Sequence, residues 1–130
     1  MFAVSTVLYR QRRLTREHLD EIAAFGFRGV ELCASRFHLD YHNDTTLTHL
    51  EQWIADAGLT LTSVHAPVLD VSLASAVAAE REHALAETAR ALEIAHRMPF
   101  PVLVVHLGRP RHDGARGGTN RDAEIGRAHV

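Results

Sequence analysis

Two stretches decide the fold: residues 61–70, LTSVHAPVLD, and residues 101–110, PVLVVHLGRP. Each contains a strand pattern that stops on a histidine. In each stretch a run of apolar and β-branched residues, typical of a strand, reaches a histidine, His65 in the first and His106 in the second. Pro67 disfavours helical backbone at the residue before it, so His65 is expected on a stiff, extended segment at a strand end. The repetition predicts that His65 and His106 occupy the same kind of position, each at the end of a strand.

Outward from these stretches, predicted strands alternate with predicted helices. The strand patterns cover residues 1–8, 27–34, 59–66 and 101–107. The helix patterns run from Thr15 to about Phe25, from a cap at Asp44 or Thr45 to Ala57, and from Ala76 to Arg97. Glycine follows the first two helices, as it often does at helix ends. The third helix is expected to present Leu85, Thr88, Leu92 and Ala95 on one face. Its histidines, His83 and His96, are expected at the surface.

This order, β-α-β-α-β-α-β, predicts an α/β fold with four parallel strands and right-handed crossovers. The strand-end residues Glu31, His65 and His106 are 34 and 41 residues apart, which fits the N-terminal half of a (β/α)8 TIM barrel or an open doubly wound sheet. No glycine fingerprint follows the first strand, where residues 9–15 read YRQRRLT, so a dinucleotide-binding fold is disfavoured. In a barrel these three residues would converge at the mouth of the active site.

Composition narrows the class of protein. The 130 residues suffice for one domain with a core, and the formal net charge of −2 gives no basic field for nucleic acid or an anionic membrane. The single cysteine, Cys33, allows no internal disulfide and fits a reducing compartment. The N-terminal apolar run precedes its arginines, the reverse of a secretory signal, and no apolar run approaches the roughly 20 residues of a membrane span. We therefore expect a cytoplasmic protein without a membrane partner.

The end of the sequence has a different character from the rest. Residues 125–130, IGRAHV, match the translation of a common sequencing-library adapter. We therefore expect residues 1–123 to form a truncated barrel domain that reaches the beginning of a fourth helix near residues 120–124. Residues 124–130 are then expected to be a non-native tail.

Four short motifs in order resemble one superfamily: FAVST at 2–6, GFRGVELCA at 26–34, SVHAP at 63–67 and VLVVHLG at 102–108. They are similar to the xylose isomerase-like TIM barrels, which group sugar phosphate isomerases and epimerases with apurinic endonucleases (AP endonuclease family 2). The resemblance covers about residues 1–123, the first half of such a barrel. The glycine that usually precedes the fourth strand is absent here.

The resemblance implies an enzyme that uses a divalent metal (Mn, Zn, Mg or Co). Most metal ligands and the catalytic acid and base would lie on strands five to eight, outside this sequence, so no catalytic residue is assigned. In the isomerase branch Glu31, His65 and His106 would line the substrate pocket. In the endonuclease branch the two histidines would bind zinc. Both roles stay open, and Glu31 has the alternative of a strand-end carboxylate that pairs with Arg10 or Arg36.

The leading hypothesis is a metal-dependent sugar or sugar phosphate isomerase or epimerase that transfers a proton through an enediolate, with this fragment inactive alone. The alternative is a zinc-dependent apurinic endonuclease of the endonuclease IV type. Val68 stands where the endonuclease branch has a tyrosine, which favours the isomerase. Arg36, Phe37 and Tyr41 are candidate DNA contacts or ordinary rim residues. The basic segment 109–121 either attracts phosphate or is an ordinary solvated loop. We expect a small sugar or sugar phosphate as partner rather than nucleic acid.

Overall fold

The computed structural model of the chain describes residues 2–68 and 72–108. These residues contain four strands, β1 (Ala3–Ser5), β2 (Gly29–Cys33), β3 (Thr60–His65) and β4 (Val102–Val104). Helices α1 (Arg16–Ala24), α2 (Asp44–Asp56) and α3 (Ala78–Leu92) connect them, with short 3₁₀ segments at Thr6–Tyr9 and Glu93–His96. All neighbouring strands pair in parallel in the order β1-β2-β3-β4. The predicted half of a TIM barrel is thereby confirmed.

The core lies between one face of this sheet and the three helices. Val30 and Leu32 from β2 and Val64 from β3 are fully buried there. The three helices and the 3₁₀ segment after α3 contribute apolar side chains to the same cluster: Leu19, Ile22, Leu47, Leu50, Ile54, Ala91 and Ile94. Because side chains alternate along a strand, the residues between these core positions point to the opposite face, where the candidate site lies.

A β-bulge between β2 and β3 decides which side chains share that opposite face. Val30 pairs with Leu61, but the next residue, Glu31, pairs with Ser63, so Thr62 is the extra residue on β3. The Thr62 hydroxyl donates to the Val30 carbonyl at 3.1 Å. The shift brings His65 into register with Cys33 on β2. Without the extra residue, His65 would lie one position further along β2 and would point to the helix side of the sheet.

Caps explain where the first two helices begin and end. Thr15 precedes α1 in an extended conformation, and Gly26 follows it with a left-handed φ of 87°. The cap of α2 is Asn43, not the predicted Asp44 or Thr45. The Asn43 side-chain oxygen accepts a hydrogen bond from the Thr46 amide at 3.1 Å, while Asp44 already lies in the first helical turn.

The third helix differs from its prediction in length and in orientation. It begins at Ala78 and gives way to 3₁₀ geometry after Leu92, whereas one helix was expected over 76–97. Leu85 and Leu92 are largely exposed among the described residues, and the buried positions are Ala84 and Ala91. The helix is thus turned by about one residue, or roughly 100°. This orientation lets the small alanines pack closely and directs Glu87 toward the loop before α2.

The two outer strands are shorter than predicted. The chain leaves β1 after Ser5 because the Ser5 hydroxyl accepts from the Val7 amide at 3.3 Å and starts a 3₁₀ turn. Residues 101–107 are apolar at nearly every position, yet Val102 is 50% exposed and Leu107 is 69% exposed within the described residues. Both strands lie at the edges of the described sheet.

Some expectations lie outside the described residues: the start of a fourth helix near 120–124, the basic segment 109–121 and the tail 124–130. No helix in the described part of the chain is long and apolar enough to cross a bilayer.

Candidate functional site

The two histidines that follow the third and fourth strand patterns, His65 and His106, lie in contact. The Nε2 atoms of His65 and His106 are 3.0 Å apart, and the two rings are tilted by 42° with centroids 4.8 Å apart. His65 is the last residue of β3, and His106 follows β4 by two residues. The parallel pairing of β3 with β4 places both at the same edge of the sheet. Strand pairing therefore turns a separation of 41 residues in sequence into direct contact.

The backbone fixes which nitrogen of His65 carries the proton. The Nδ1 atom of His65 lies 3.0 Å from the carbonyl oxygen of Ala66. A carbonyl only accepts, so Nδ1 must be the donor, and the neutral ring presents an unprotonated Nε2 toward His106. A histidine whose second nitrogen is held by a backbone carbonyl is the usual arrangement for a metal ligand. The same lone pair can also accept a hydrogen bond from a hydroxyl group.

Glu31 lies on the same face of the sheet but apart from the histidine pair. Its carboxylate accepts a hydrogen bond at 2.8 Å from the hydroxyl of Ser63, which lies two residues before His65 on β3. The expected alternative, an ion pair with Arg10 or Arg36, is not formed within the described residues. The structure thus brings together two of the three predicted site residues and places the third beneath them.

The histidine pair opens into a cleft of about 570 Å³, a size typical of small-molecule sites. Its walls are mostly apolar and come from the segments that follow the strands, together with His83 and Glu87 of α3. Arginine, histidine and glutamate side chains interrupt this apolar surface. The described lining residues are Val7, Arg10, Cys33, Ala34, Ser35, Arg36, Phe37, Tyr41, His65, Pro67, Val68, His83, Glu87 and His106.

Cys33 contributes a neutral thiol to the wall. It is 7% exposed and lies beside His65 in the strand register. Burial and the carboxylate of Glu31 raise the pKa of the Cys33 thiol, and the positive charge of Arg10 only partly opposes them. The side chain is therefore suited to packing rather than to nucleophilic attack.

A hydrogen-bonded group of side chains in the cleft wall was not predicted. The buried Tyr41 hydroxyl donates to the Glu87 carboxylate, and His42 Nε2 lies 3.0 Å from the same oxygen. Burial tends to raise the pKa of Glu87, but the hydrogen bonds from Tyr41 and His42 outweigh it and hold the pKa below its usual value. His83, expected at the helix surface, also lines the cleft. No local pattern links residues 41 and 87, since only the tertiary fold brings them together.

The histidine pair fits part of a metal site. Two nitrogens that ligate one ion at about 2.1 Å in adjacent positions lie roughly 3.0 to 3.4 Å apart, and the observed separation is 3.0 Å. Catalytic zinc usually has three protein ligands. The described residues hold no group of three or more His, Cys, Asp or Glu side chains arranged for a metal. The pair can therefore supply two ligands, and the others would have to come from elsewhere.

The comparisons with known proteins agree with this architecture. The family model described as xylose isomerase-like TIM barrel matches residues 19–128. The chain belongs to the xylose isomerase-like TIM barrel family. A search of the curated proteins finds no match. The position of the cleft accords with this membership, because TIM barrels build their sites at the carboxyl ends of the strands.

Two solved structures show the same fold as this xylose isomerase-like chain. One is D-psicose 3-epimerase in the presence of D-fructose, with a TM-score of 0.61 and 19% identity over 78% of this chain and 35% of that one. The other is D-psicose 3-epimerase with D-tagatose from Clostridium cellulolyticum H10, with a TM-score of 0.58 and 22% identity over 73% of this chain and 33% of that one. The present chain thus spans about a third of the length of these structures.

Proposed function

We propose that this chain is part of a divalent-metal-dependent isomerase or epimerase that acts on a small sugar or sugar derivative. The observation that carries the proposal is the contact of His65 with His106, Nε2 to Nε2 at 3.0 Å, beside a cleft of about 570 Å³. Family membership and the fold shared with sugar epimerases support it. Reaction by proton transfer next to a carbonyl would require an acid and a base, which we expect on strands outside this sequence.

In this proposal His65 and His106 hold a divalent ion together with ligands from the rest of the barrel. Paired imidazoles favour zinc or cobalt over magnesium, which prefers oxygen ligands. When bound, the ion would polarise the carbonyl group of the sugar and stabilise the negative charge of an enediolate. The hydrogen bond from His65 Nδ1 to the Ala66 carbonyl keeps the ligating nitrogen directed into the cleft.

The remaining residues of the cleft would bind and shelter the sugar. Exposed apolar side chains at the rim, Phe37 and Val68, offer surfaces for the C–H face of a sugar and reduce access of water. Glu31, hydrogen-bonded to Ser63 below the histidines, would support the floor of the site. In this chain Phe37, Val68 and Glu31 would therefore bind and position the substrate.

The endonuclease alternative gains no support from the described residues. Tyr41 was a candidate DNA-contacting aromatic, but it is 1% exposed and its hydroxyl is bonded to Glu87. A side chain buried in this way cannot stack on an unpaired base or wedge into a duplex.

A metal titration of the 130-residue chain tests the proposal. Imidazole resonances of His65 and His106 should shift on addition of Zn²⁺ and broaden on addition of Co²⁺. The variants His65→Gln and His106→Gln should each lose this response. His49→Gln is the matched control, because His49 is an exposed helix residue stacked on Trp53 and does not line the cleft. Equal metal binding in all variants would contradict the assignment.

The reaction itself needs the rest of the barrel. A full-length parent protein loaded with Mn²⁺ or Co²⁺ should incorporate deuterium from heavy water into the carbon of a ketose whose configuration it changes. D-fructose and D-tagatose are suitable probes, and mass spectrometry reads the exchange. Absence of exchange into these and other small sugars, with metal bound, would count against an isomerase or epimerase.

A further inference from the structure

Glu87 is the only carboxylate among the described residues that line the cleft. It lies on α3, and its side chain is 12% exposed. Both of its described hydrogen bonds reach the same oxygen, Oε2: one comes from the Tyr41 hydroxyl and the other from His42 Nε2 at 3.0 Å. An ionised carboxylate only accepts hydrogen bonds, so both partners are donors. Two donors on one oxygen hold the carboxylate in a defined orientation.

The second oxygen of Glu87, Oε1, is left for a ligand. No donor from the described residues reaches it. It is not enclosed either, because the only buried side-chain nitrogen or oxygen without a partner in the described residues is His38 Nε2. Glu87 lines the cleft but not the smaller cavity that Tyr41 also lines. Oε1 is therefore accessible to a molecule in the cleft.

The charge of Glu87 determines what Oε1 can bind. Burial tends to raise the pKa of Glu87, but the hydrogen bonds from Tyr41 and His42 outweigh it, so the carboxyl group is ionised at neutral pH. His83, four residues earlier on α3, also lines the cleft, and its positive charge lowers the same pKa. A ligand at Oε1 must therefore present a hydrogen-bond donor, and the donor of a sugar is a hydroxyl group.

We propose that Glu87 is a substrate-binding residue whose Oε1 accepts a hydrogen bond from a sugar hydroxyl, with Tyr41 and His42 as positioning residues that hold Oε2. This inference rests on the proposed function and deepens it, because it assigns a contact to the sugar that involves neither a metal nor the strand-end histidines. A hydrogen bond to an ionised acceptor is about twice as strong as one between neutral groups, and hydrogen bonds are directional. Glu87 would therefore select sugars that carry a hydroxyl at one particular carbon.

A titration of the 130-residue chain followed by NMR tests this contact. The probes are D-fructose and its 1-deoxy, 3-deoxy, 4-deoxy and 6-deoxy analogues, each of which lacks one hydroxyl group. Imidazole resonances of His65 and His106 report binding at the strand ends, and those of His83 report binding near Glu87. One analogue should bind about five- to ten-fold more weakly than D-fructose and should shift His83 less.

Substitutions connect that hydroxyl group to Glu87. In Glu87→Gln the amide oxygen is expected at the Oε2 position, where Tyr41 and His42 donate, so the NH₂ group replaces the acceptor Oε1. This variant should bind D-fructose about five- to ten-fold more weakly and should bind the analogue without the contacting hydroxyl unchanged. Glu82→Gln is the matched control, because it removes the same charge from an exposed residue of α3 that does not line the cleft. That variant should bind every probe as the unchanged chain does.

The outcomes separate a direct contact from a structural role. If Glu87→Gln weakens D-fructose and all four analogues by the same factor, its effect passes through the fold and the inference is refuted. Unchanged binding of D-fructose to Glu87→Gln also refutes it, while the sugar site stands as long as His65 and His106 respond. If no probe perturbs any of the three reporter histidines, the sugar site fails and the inference fails with it.

Discussion

Replacing Tyr41 by phenylalanine tests whether the buried hydrogen bond on the cleft wall stabilises the fold. Tyr41 is 1% exposed, and its hydroxyl donates to Glu87 on α3. The change removes one oxygen and leaves the ring in place. It therefore removes the hydrogen bond between the loop before α2 and helix α3 without opening a large cavity.

The magnitude follows from the charge and burial of the pair. A hydrogen bond to a charged group contributes about 1.5–3 kcal/mol. Because His42 still contacts the carboxylate, we expect Tyr41→Phe to lower the free energy of unfolding by about 1.5–2.5 kcal/mol. For a urea m-value of about 1–3 kcal/mol/M, this is a fall in midpoint on the order of 1 M. The fluorescence of Trp53, the single tryptophan of the chain, can follow unfolding.

A second tyrosine provides the matched control. The Tyr9 hydroxyl donates to Glu21 at 3.0 Å in an exposed setting, so Tyr9→Phe should cost less than about 1 kcal/mol. A double-mutant cycle of Tyr41→Phe with Glu87→Gln should show a coupling of at least about 1 kcal/mol. Equal costs for the two tyrosines, or a coupling below about 0.3 kcal/mol, would refute the reasoning.

The same coupling should depend on pH. The pKa of Glu87 in the folded chain is lowered from its ordinary value of 4.5, with its hydrogen bonds from Tyr41 and His42 outweighing the opposing effect of burial. A depressed carboxyl pKa stabilises the fold above the ordinary value, and the stabilisation is lost as the pH falls through the lowered one. The coupling measured at pH 7 should therefore disappear in strong acid.

Three further changes test the packing and the electrostatics of the fold by urea unfolding. Gly29→Ala should lower the free energy of unfolding by about 1–3 kcal/mol through overpacking, because the added Cβ would meet Ala3 Cβ at 2.8 Å. An unchanged urea midpoint would contradict this. Thr6→Val should cost about 1–3 kcal/mol, because the buried Thr6 hydroxyl accepts from the Cys33 amide at 2.9 Å; Thr6→Ser, which keeps the acceptor, should cost less. Burial lowers the pKa of His38 below 6.5, so protonation favours the unfolded chain and stability should decline as the pH falls below about 6.5; His38→Asn, which keeps a side-chain donor, should show a weaker decline.

Much of the fold could be predicted from local patterns. The strand runs around Val30, Val64 and Leu103 and the helical spacing of Leu47, Leu50 and Ile54 gave the correct element order. The boundaries were less accurate, because side-chain hydrogen bonds set them: Ser5 ends the first strand early. The prediction of the buried face of α3 was also wrong, since contacts with residues over 40 positions away orient that helix.

For the candidate site, the sequence by itself determined its most important elements: two histidines at the ends of two strands that a parallel sheet must place side by side. Local residue preferences and the period of alternation suffice for this, because they act over a few neighbouring residues. Only the tertiary structure decided the rest. The bulge at Thr62 places His65 on the cleft side, the Glu31 carboxylate accepts from Ser63, and Glu87 accepts from Tyr41 in the cleft wall. These contacts depend on strand register and helix rotation, which are set by packing between segments distant in the chain.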